Sequence, residues 1–305
     1  MNISAAIAPF INYCHAERHV ADSTLAKYQE CLDCWLMPWL GETAIEALSR
    51  LDVLRLRQAM VDRHLSIARQ YSIVMCLKTF LKFCRSVMGV PCLDPAGIAL
   101  PKRPAPEVVY LDNEEVRDVL DAINMNTFAG ARLRALVELL LSTGLRISEA
   151  LSLTRDSFEA DSTEAEIVGK GKRKRHIFFS RRCRLWVRHY LSRRVDDAPA
   201  LFVTTGYPVR KFQRADVGRF FANLRRKAGL QKPLTPHILR HTYCTNLRNN
   251  GADISHIKDL AGHQSIHTTA RYYLGKDKNI LRQVVDNCLR YEVATTTGNT
   301  HGNSI

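Results

Sequence analysis

Apolar side chains recur every three to four residues through 3–14, 24–40, 51–63 and 66–88, the spacing that turns one face of a helix toward a core. Asp22-Ser23, Gly41 and Gly89-Val90-Pro91 interrupt the pattern, and Ser23 or Asp22 is a suitable N-cap for the second segment. The first hundred residues are therefore expected to be all helical. Asp94-Pro95-Ala96-Gly97 through Pro101-Lys102-Arg103-Pro104-Ala105-Pro106 then brings four prolines and two cations, which stop a helix and favour an extended connection. This reading gives a helical domain at 1–100, a linker at 101–106 and a second domain at 107–291.

The second domain has a different rhythm. Asp112-Asn113-Glu114-Glu115 opens a helix with a cap and early acids, and the apolar helix 131–142 ends where Gly144 can adopt a left-handed conformation. Glu164 to Ser180 reads as two short strands, Ala-Glu-Ile-Val and Arg-His-Ile-Phe-Phe, joined by Gly-Lys-Gly-Lys-Arg-Lys. Helical spacing returns at 181–194, 214–228, 235–250 and 253–261, with a last helix expected near 277–291 and a polar, disordered tail over 292–305. The expected fold class is mainly α with a small β-sheet: an all-α N-terminal domain followed by an α/β domain, with no internal repeat.

Charge sharpens the picture. The net charge is +14; residues 1–104 hold 12 Lys and Arg against 9 Asp and Glu, so +3 lies there and +11 in residues 105–305. Such a balance predicts a polyanionic partner, nucleic acid or an acidic membrane surface. No stretch approaches the roughly 20 apolar residues a membrane span needs, and the N-terminus lacks a basic region of the signal-peptide type. These features predict a cytoplasmic protein. Nine cysteines, an odd number scattered from Cys14 to Cys288, argue against a secreted disulfide framework. Cys31 and Cys34 form a Cys-x-x-Cys inside a helical pattern, where core packing is favoured over a metal or redox role because only Cys14 and His15 offer nearby partners.

The chemistry resides in a set of polar residues from 146 to 272. Arg146 follows Thr143-Gly144 at a helix stop, and Glu149 stands at i+3 to orient its guanidinium. As an isolated surface pair, these two would be worth under about 1 kcal/mol. Gly169 to Arg194 holds 11 Lys and Arg and no Asp or Glu. A solvated basic face is the plain alternative, but this density at a hairpin tip fits phosphate contacts better, with Lys172, Arg173, Lys174 and Arg175 as the DNA-binding candidates. Thr235-Pro236 starts a helix and puts His237 and Arg240 one turn apart near its N-terminus, a favourable place for an anion. His263 follows Gly262 on a turn, and Tyr272 lies nine residues later. His237 and His241, like His263 and His267, have the i, i+4 spacing of helical zinc ligands. The metalloprotease pattern, however, needs Glu where Ile238 stands, and no metal site is assigned.

Thr-Gly-Leu-Arg-Ile-Ser-Glu-Ala-Leu (143–151), Gly-Lys-Gly, His-Ile-Leu-Arg-His (237–241), Leu-Ala-Gly-His (260–263) and Thr-Thr-Ala-Arg-Tyr (268–272), in that order, resemble the tyrosine recombinase (phage-integrase-type) family. The resemblance covers roughly residues 106 to 290, after a family-type core-binding (SAM-like) helical domain. It implies site-specific cutting and rejoining of DNA through a 3′-phosphotyrosine, with Arg146, Arg240, His237 and His263 at the phosphate and Glu149 in support. Tyr272 is implied as the nucleophile and Lys170 as the acid for the leaving 5′ oxygen; Lys172 and Lys174 compete for the latter role, and Tyr273 for the former. Neither ATP, divalent metal nor another cofactor is implied. The partners implied are duplex DNA with paired inverted half-sites, clamped between the two domains, and three further copies of the chain in a tetrameric synapse. With no arm-binding domain expected before residue 1, the chain resembles the simple Xer-like or transposon-type integrases. A type IB topoisomerase or a DNA-binding regulator with a decayed site are the competing expectations.

Overall fold

The computed structural model describes residues 1–102, 108–158, 162–169, 174–263 and 265–270, and the chain divides into two compact units, Met1–Pro106 and Glu107–Ile305. The first unit consists of α1 (Ile3–Ala16), α2 (Asp22–Cys31), α3 (Met37–Leu40), α4 (Arg50–Asp62) and α5 (Ile67–Ser86). Ile3, Ile7, Phe10 and Cys14 follow helical spacing on α1 and are buried. The Phe10 ring meets Phe80 of α5 edge-on, with centroids 5.5 Å apart.

Two details differ from the sequence reading. Neither Asp22 nor Ser23 caps α2; Ala21 occupies that position and no side chain bonds the first turn. Asp22 is instead the first helical residue, where a carboxylate still opposes the positive end of the helix dipole. The helix expected over 24–40 is interrupted by a π-helical turn at Leu32–Leu36, in which the Met37 N–H reaches back to the Leu32 carbonyl. The wider turn leaves Leu32, Trp35 and Leu36 buried. Cys31 is buried and Cys34 exposed, so the Cys-x-x-Cys pair does not converge.

The second unit runs α6 (Asn113–Asp121), α7 (Phe128–Thr143), α8 (Ile147–Ala150), β1 (Glu164–Val168), β2 (Lys174–Phe178), α9 (Arg181–Leu191), α10 (Arg214–Lys227), α11 (Pro236–Asn249), α12 (Ile254–Ala261) and α13 (Ile266–Ala270). It is mostly helical with one antiparallel two-stranded sheet, as the sequence pattern predicted. Asp112 and Glu115 form a reciprocal capping box on α6. Ala131, Ala135, Leu136, Leu139 and Leu140 are fully buried, which makes α7 the central helix. The β1–β2 register sets Ala165 opposite Ile177 and Ile167 opposite Arg175. With side chains alternating between faces, Ile177 and Arg175 share the inner face, while Lys174, His176 and Phe178 point outward.

Residues 195–213, unassigned from the sequence, are tied down by isolated bridges Thr154–Ala200 and Val203–Lys211. Arg132 of α7, 1% exposed, donates to the Val203 carbonyl at 2.7 Å and lies 4.2 Å from the Phe212 ring centroid. No helix of the described residues is long and apolar enough to cross a membrane. The helix expected at 277–291 and the tail at 292–305 lie outside the described residues.

Gly144 closes α7 with φ +59°, and a Cβ there would fall 2.2 Å from the Tyr243 ring, whereas one at Gly229, φ +67°, would meet nothing within 4 Å. Gly229→Ala should therefore cost about 1 kcal/mol of backbone strain, and Gly144→Ala roughly 2 kcal/mol more from overpacking. Urea unfolding of the two variants measures the difference; equal losses would mean that Tyr243 yields freely.

Candidate active site

The left-handed turn at Gly144 throws the chain out of α7 and into α8, with Arg146 at the N-cap. Glu149 then closes on Arg146 twice: it accepts from the Arg146 backbone N–H at 2.9 Å and from Nη1 at 2.9 Å. Arg146 Nη2 donates to the Gly262 carbonyl at 3.0 Å. Glu149 is 5% exposed, and these bonds, with those from Arg175, outweigh the opposing effect of burial and hold its carboxyl below the usual range. Arg175, expected among the phosphate-contacting cations of the hairpin, instead points inward and donates to Glu149 at 2.8 and 3.2 Å. The reason is strand alternation, which gives Arg175 the same face as Ile177. Lys174 faces outward and pairs with Glu166 at 2.8 Å.

Thr235 caps α11 by accepting from the Ile238 N–H, with Pro236 at the first helical position. One turn in, Arg240 is 3% exposed. Its guanidinium donates to the Gly144 carbonyl and to the Ala261 carbonyl, each at 2.6 Å. Both acceptors belong to helix C-terminal ends, where carbonyls carry partial negative charge. The His237 ring lies tilted against that of His241, with centroids 4.2 Å apart. His241 Nδ1 lies 3.0 Å from the Val109 carbonyl, an acceptor, so Nδ1 carries the proton. Burial first, then His241, Arg240 and Arg146, lower the His237 pKa. No group of three or more His, Cys, Asp or Glu suited to hold a metal occurs among the described residues.

Gly262 caps α12 in the left-handed region, φ +65°. That reversal turns His263 inward, where its Nδ1 meets Thr269 Oγ1 at 2.8 Å. Burial, followed by the charges of Arg240 and Arg146, takes the His263 pKa from about 6.5 down to about 3.

These side chains share one cleft of about 430 Å³, lined by Arg146, Ser148, Arg214, His237, Arg240, His263 and Thr268 among others. The structure thus brings together four of the residues singled out from the sequence, Arg146, His237, Arg240 and His263, with Glu149 against them. Lys170, Lys172, Arg173 and Tyr272 lie outside the described residues. Arg214 was not anticipated: it is the first residue of α10, beyond Gln213 at the N-cap, and nothing in the sequence separates it from the other cations of that helix. Three guanidiniums at one cleft, with the described carboxylate set behind them, make a receptor for an oxyanion.

Comparison with known proteins agrees with this chemistry. The sequence model of the phage integrase family matches residues 109–279. The chain is 30% identical over 278 residues to the tyrosine recombinase XerD of Oceanobacillus iheyensis, covering 88% of this chain and 92% of the relative. It is 27% identical over 276 residues to the tyrosine recombinase XerC of Salmonella typhi, covering 88% and 91%. Among solved structures, the Tn1549 transposon integrase in complex with circular intermediate DNA superposes with a TM-score of 0.75 at 20% identity, over 93% of this chain and 98% of that one. A lambda integrase dimer bound to a COC′ core site gives a TM-score of 0.74 at 15% identity, over 88% and 97%. At these identities the likeness to the structures is one of fold. On the family match and the relatives together, the chain belongs to the phage integrase family of tyrosine recombinases, the enzymes that cut and rejoin DNA strands in site-specific recombination.

Proposed function

We propose that the cleft holds the scissile phosphodiester of a duplex DNA site and that Tyr272 is the nucleophile. The observation that carries this reading is the convergence of Arg146, His237, Arg240 and His263, from three separate elements, on a single cleft. Arg146 and Arg240 oppose the charge that builds on the pentavalent phosphate, an effect often worth several kcal/mol per donor. The Tyr272 Oη attacks phosphorus, the bond to the 5′ oxygen breaks, and Lys170 protonates that oxygen; Lys172 and Lys174 are the alternatives for this step. The products are a 3′-phosphotyrosine and a free 5′-hydroxyl, and attack by another strand's 5′-hydroxyl reverses the chemistry onto a new partner. Tyrosine's ordinary pKa near 10 requires a proton acceptor. His237, lowered less and lining the cleft, is better suited to it than His263, whose pKa of about 3 makes it a weak base.

Exchange requires four strands to be cut in a coordinated way, so the working assembly is a tetramer on two DNA sites, each built of inverted half-sites. The excess of +11 in residues 105–305 supports DNA as the partner. The place of action follows from the substrate: the cytoplasm, at the nucleoid.

A nicked duplex library of random sequence, incubated with the full chain and resolved under denaturing conditions, tests the reading by covalent capture. Tyr272→Phe should abolish the adduct and leave DNA binding within about twofold, whereas Tyr273→Phe should retain it; the reverse pattern moves the nucleophile by one residue. Arg146→Ala and Arg240→Ala should each slow adduct formation by at least about a hundredfold, and full activity of either would remove it from the site.

The depressed His263 pKa also bears on stability. A folded pKa of about 3 against an ordinary 6.5 means that the unfolded chain binds the proton first as pH falls. The stability present above pH 6.5 is then lost progressively toward pH 3. Thermal unfolding of the wild type should show a larger fall in Tm between pH 7 and pH 4 than that of His263→Asn. Parallel curves would mean that His263 takes up its proton without strain.

A further inference from the structure

Arg175 is the only described cation of the 169–175 turn region that faces inward, and its surroundings are unlike those of a phosphate contact. Its side chain is 15% exposed, against 69% for the adjacent Lys174. Its Nε is buried with no hydrogen-bond partner among the described residues. Nη1 and Nη2 grip Glu149 Oε1 and Oε2 at 3.2 and 2.8 Å. The same two oxygens accept from Arg146, Oε1 from Nη1 and Oε2 from the backbone N–H, each at 2.9 Å. Four donors from two arginines therefore fix the carboxylate in its plane. The Arg175 guanidinium also covers Gly262: a Cβ there would lie 2.5 Å from Nη1. The carbonyl of that glycine is the acceptor for Arg146 Nη2.

We propose that Arg175 is a positioning residue for cleavage: from β2 it locks Glu149 and the Gly262 corner together, and so sets the guanidinium of Arg146 and the imidazole of His263 against the phosphate. Arg175 is not among the residues that line the cleft. Its fork spans two oxygens at once, which an ammonium cannot do. Removing it leaves Glu149 held from one side, and a displacement on the order of 1 Å at a reacting centre is enough to cost roughly a hundredfold in rate. The inference rests on the cleft being the cleavage site.

The test uses the full chain and nicked duplexes recovered by covalent capture from the random-sequence library. Arg175→Ala should lower the single-turnover rate of adduct formation at saturating DNA by roughly a hundredfold, with Arg175→Lys in between. Affinity by gel shift, and its dependence on salt, should stay within about twofold of wild type. A phosphate contact would behave in the opposite way, weakening binding and lowering the salt slope by about one with the rate at saturation intact. That pattern in Arg175→Ala, or a wild-type rate, overturns the proposal. If circular dichroism shows that the alanine variant is unfolded, Arg175→Lys decides by the same two readouts. Failure of the wild-type protein to capture any duplex from the library would instead overturn the reading of the cleft itself.

Discussion

The guanidinium of Arg240 is the constraint on which the site depends. Buried charge is expensive unless its donors are satisfied, and here two of them meet carbonyls at the C-terminal ends of α7 and α12. Helix ends leave their last carbonyls without internal partners, so one side chain answers a need of two helices while its own charge is compensated. The geometry is possible because both helices end in left-handed glycines, Gly144 and Gly262. Each glycine turns the chain at once, and the residues that follow, Arg146 after one and His263 after the other, arrive at the same cleft.

Around that knot the charges are unevenly distributed. The described acid nearest the cleft, Glu149, is consumed by Arg146 and Arg175. Two cations on one carboxylate leave a positive remainder, and Arg240 and Arg214 add to it. The imidazoles register the same field: His263 and His237 are driven toward the neutral form by burial and by the charges of Arg240 and Arg146. A neutral imidazole beside fixed positive charge can exchange a proton while the arginines hold an anion.

Much of this was legible in the sequence where a residue's local chemistry and its position in the fold agree. Thr235-Pro236 announces a helix start, Gly144 and Gly262 announce helix ends, and Asp112 with Glu115 is a capping box that can be read from spacing alone. Placing His237, Arg240 and His263 near helix termini follows directly. Arg175 shows the opposite case. Counted in a run of cations it reads as a surface residue, yet the strand period groups it with Ile177 and Phe179, which are 2% and 5% exposed. Alternation was a signal in plain view that charge density obscured. The π-helical turn at Leu32–Leu36 left no comparable trace, because a one-residue widening is decided by how Trp35 and Leu36 pack. Arg214 likewise gains its role from the fold of residues 195–213, where the Thr154–Ala200 bridge joins positions far apart in the chain.

One consequence follows from the kind of cation the site employs. Among the described residues that line the cleft, every permanent positive charge is a guanidinium, a group that does not deprotonate in proteins. The attraction for an oxyanion is thus a constant of the molecule across the physiological range of acidity. Any response of the reaction to acidity must arise in the imidazole, phenol or ammonium groups that handle protons. On the proposed mechanism, the fixed charges that attract the phosphate and the groups that move protons are largely different side chains, so acidity would act on the cut more than on the attraction.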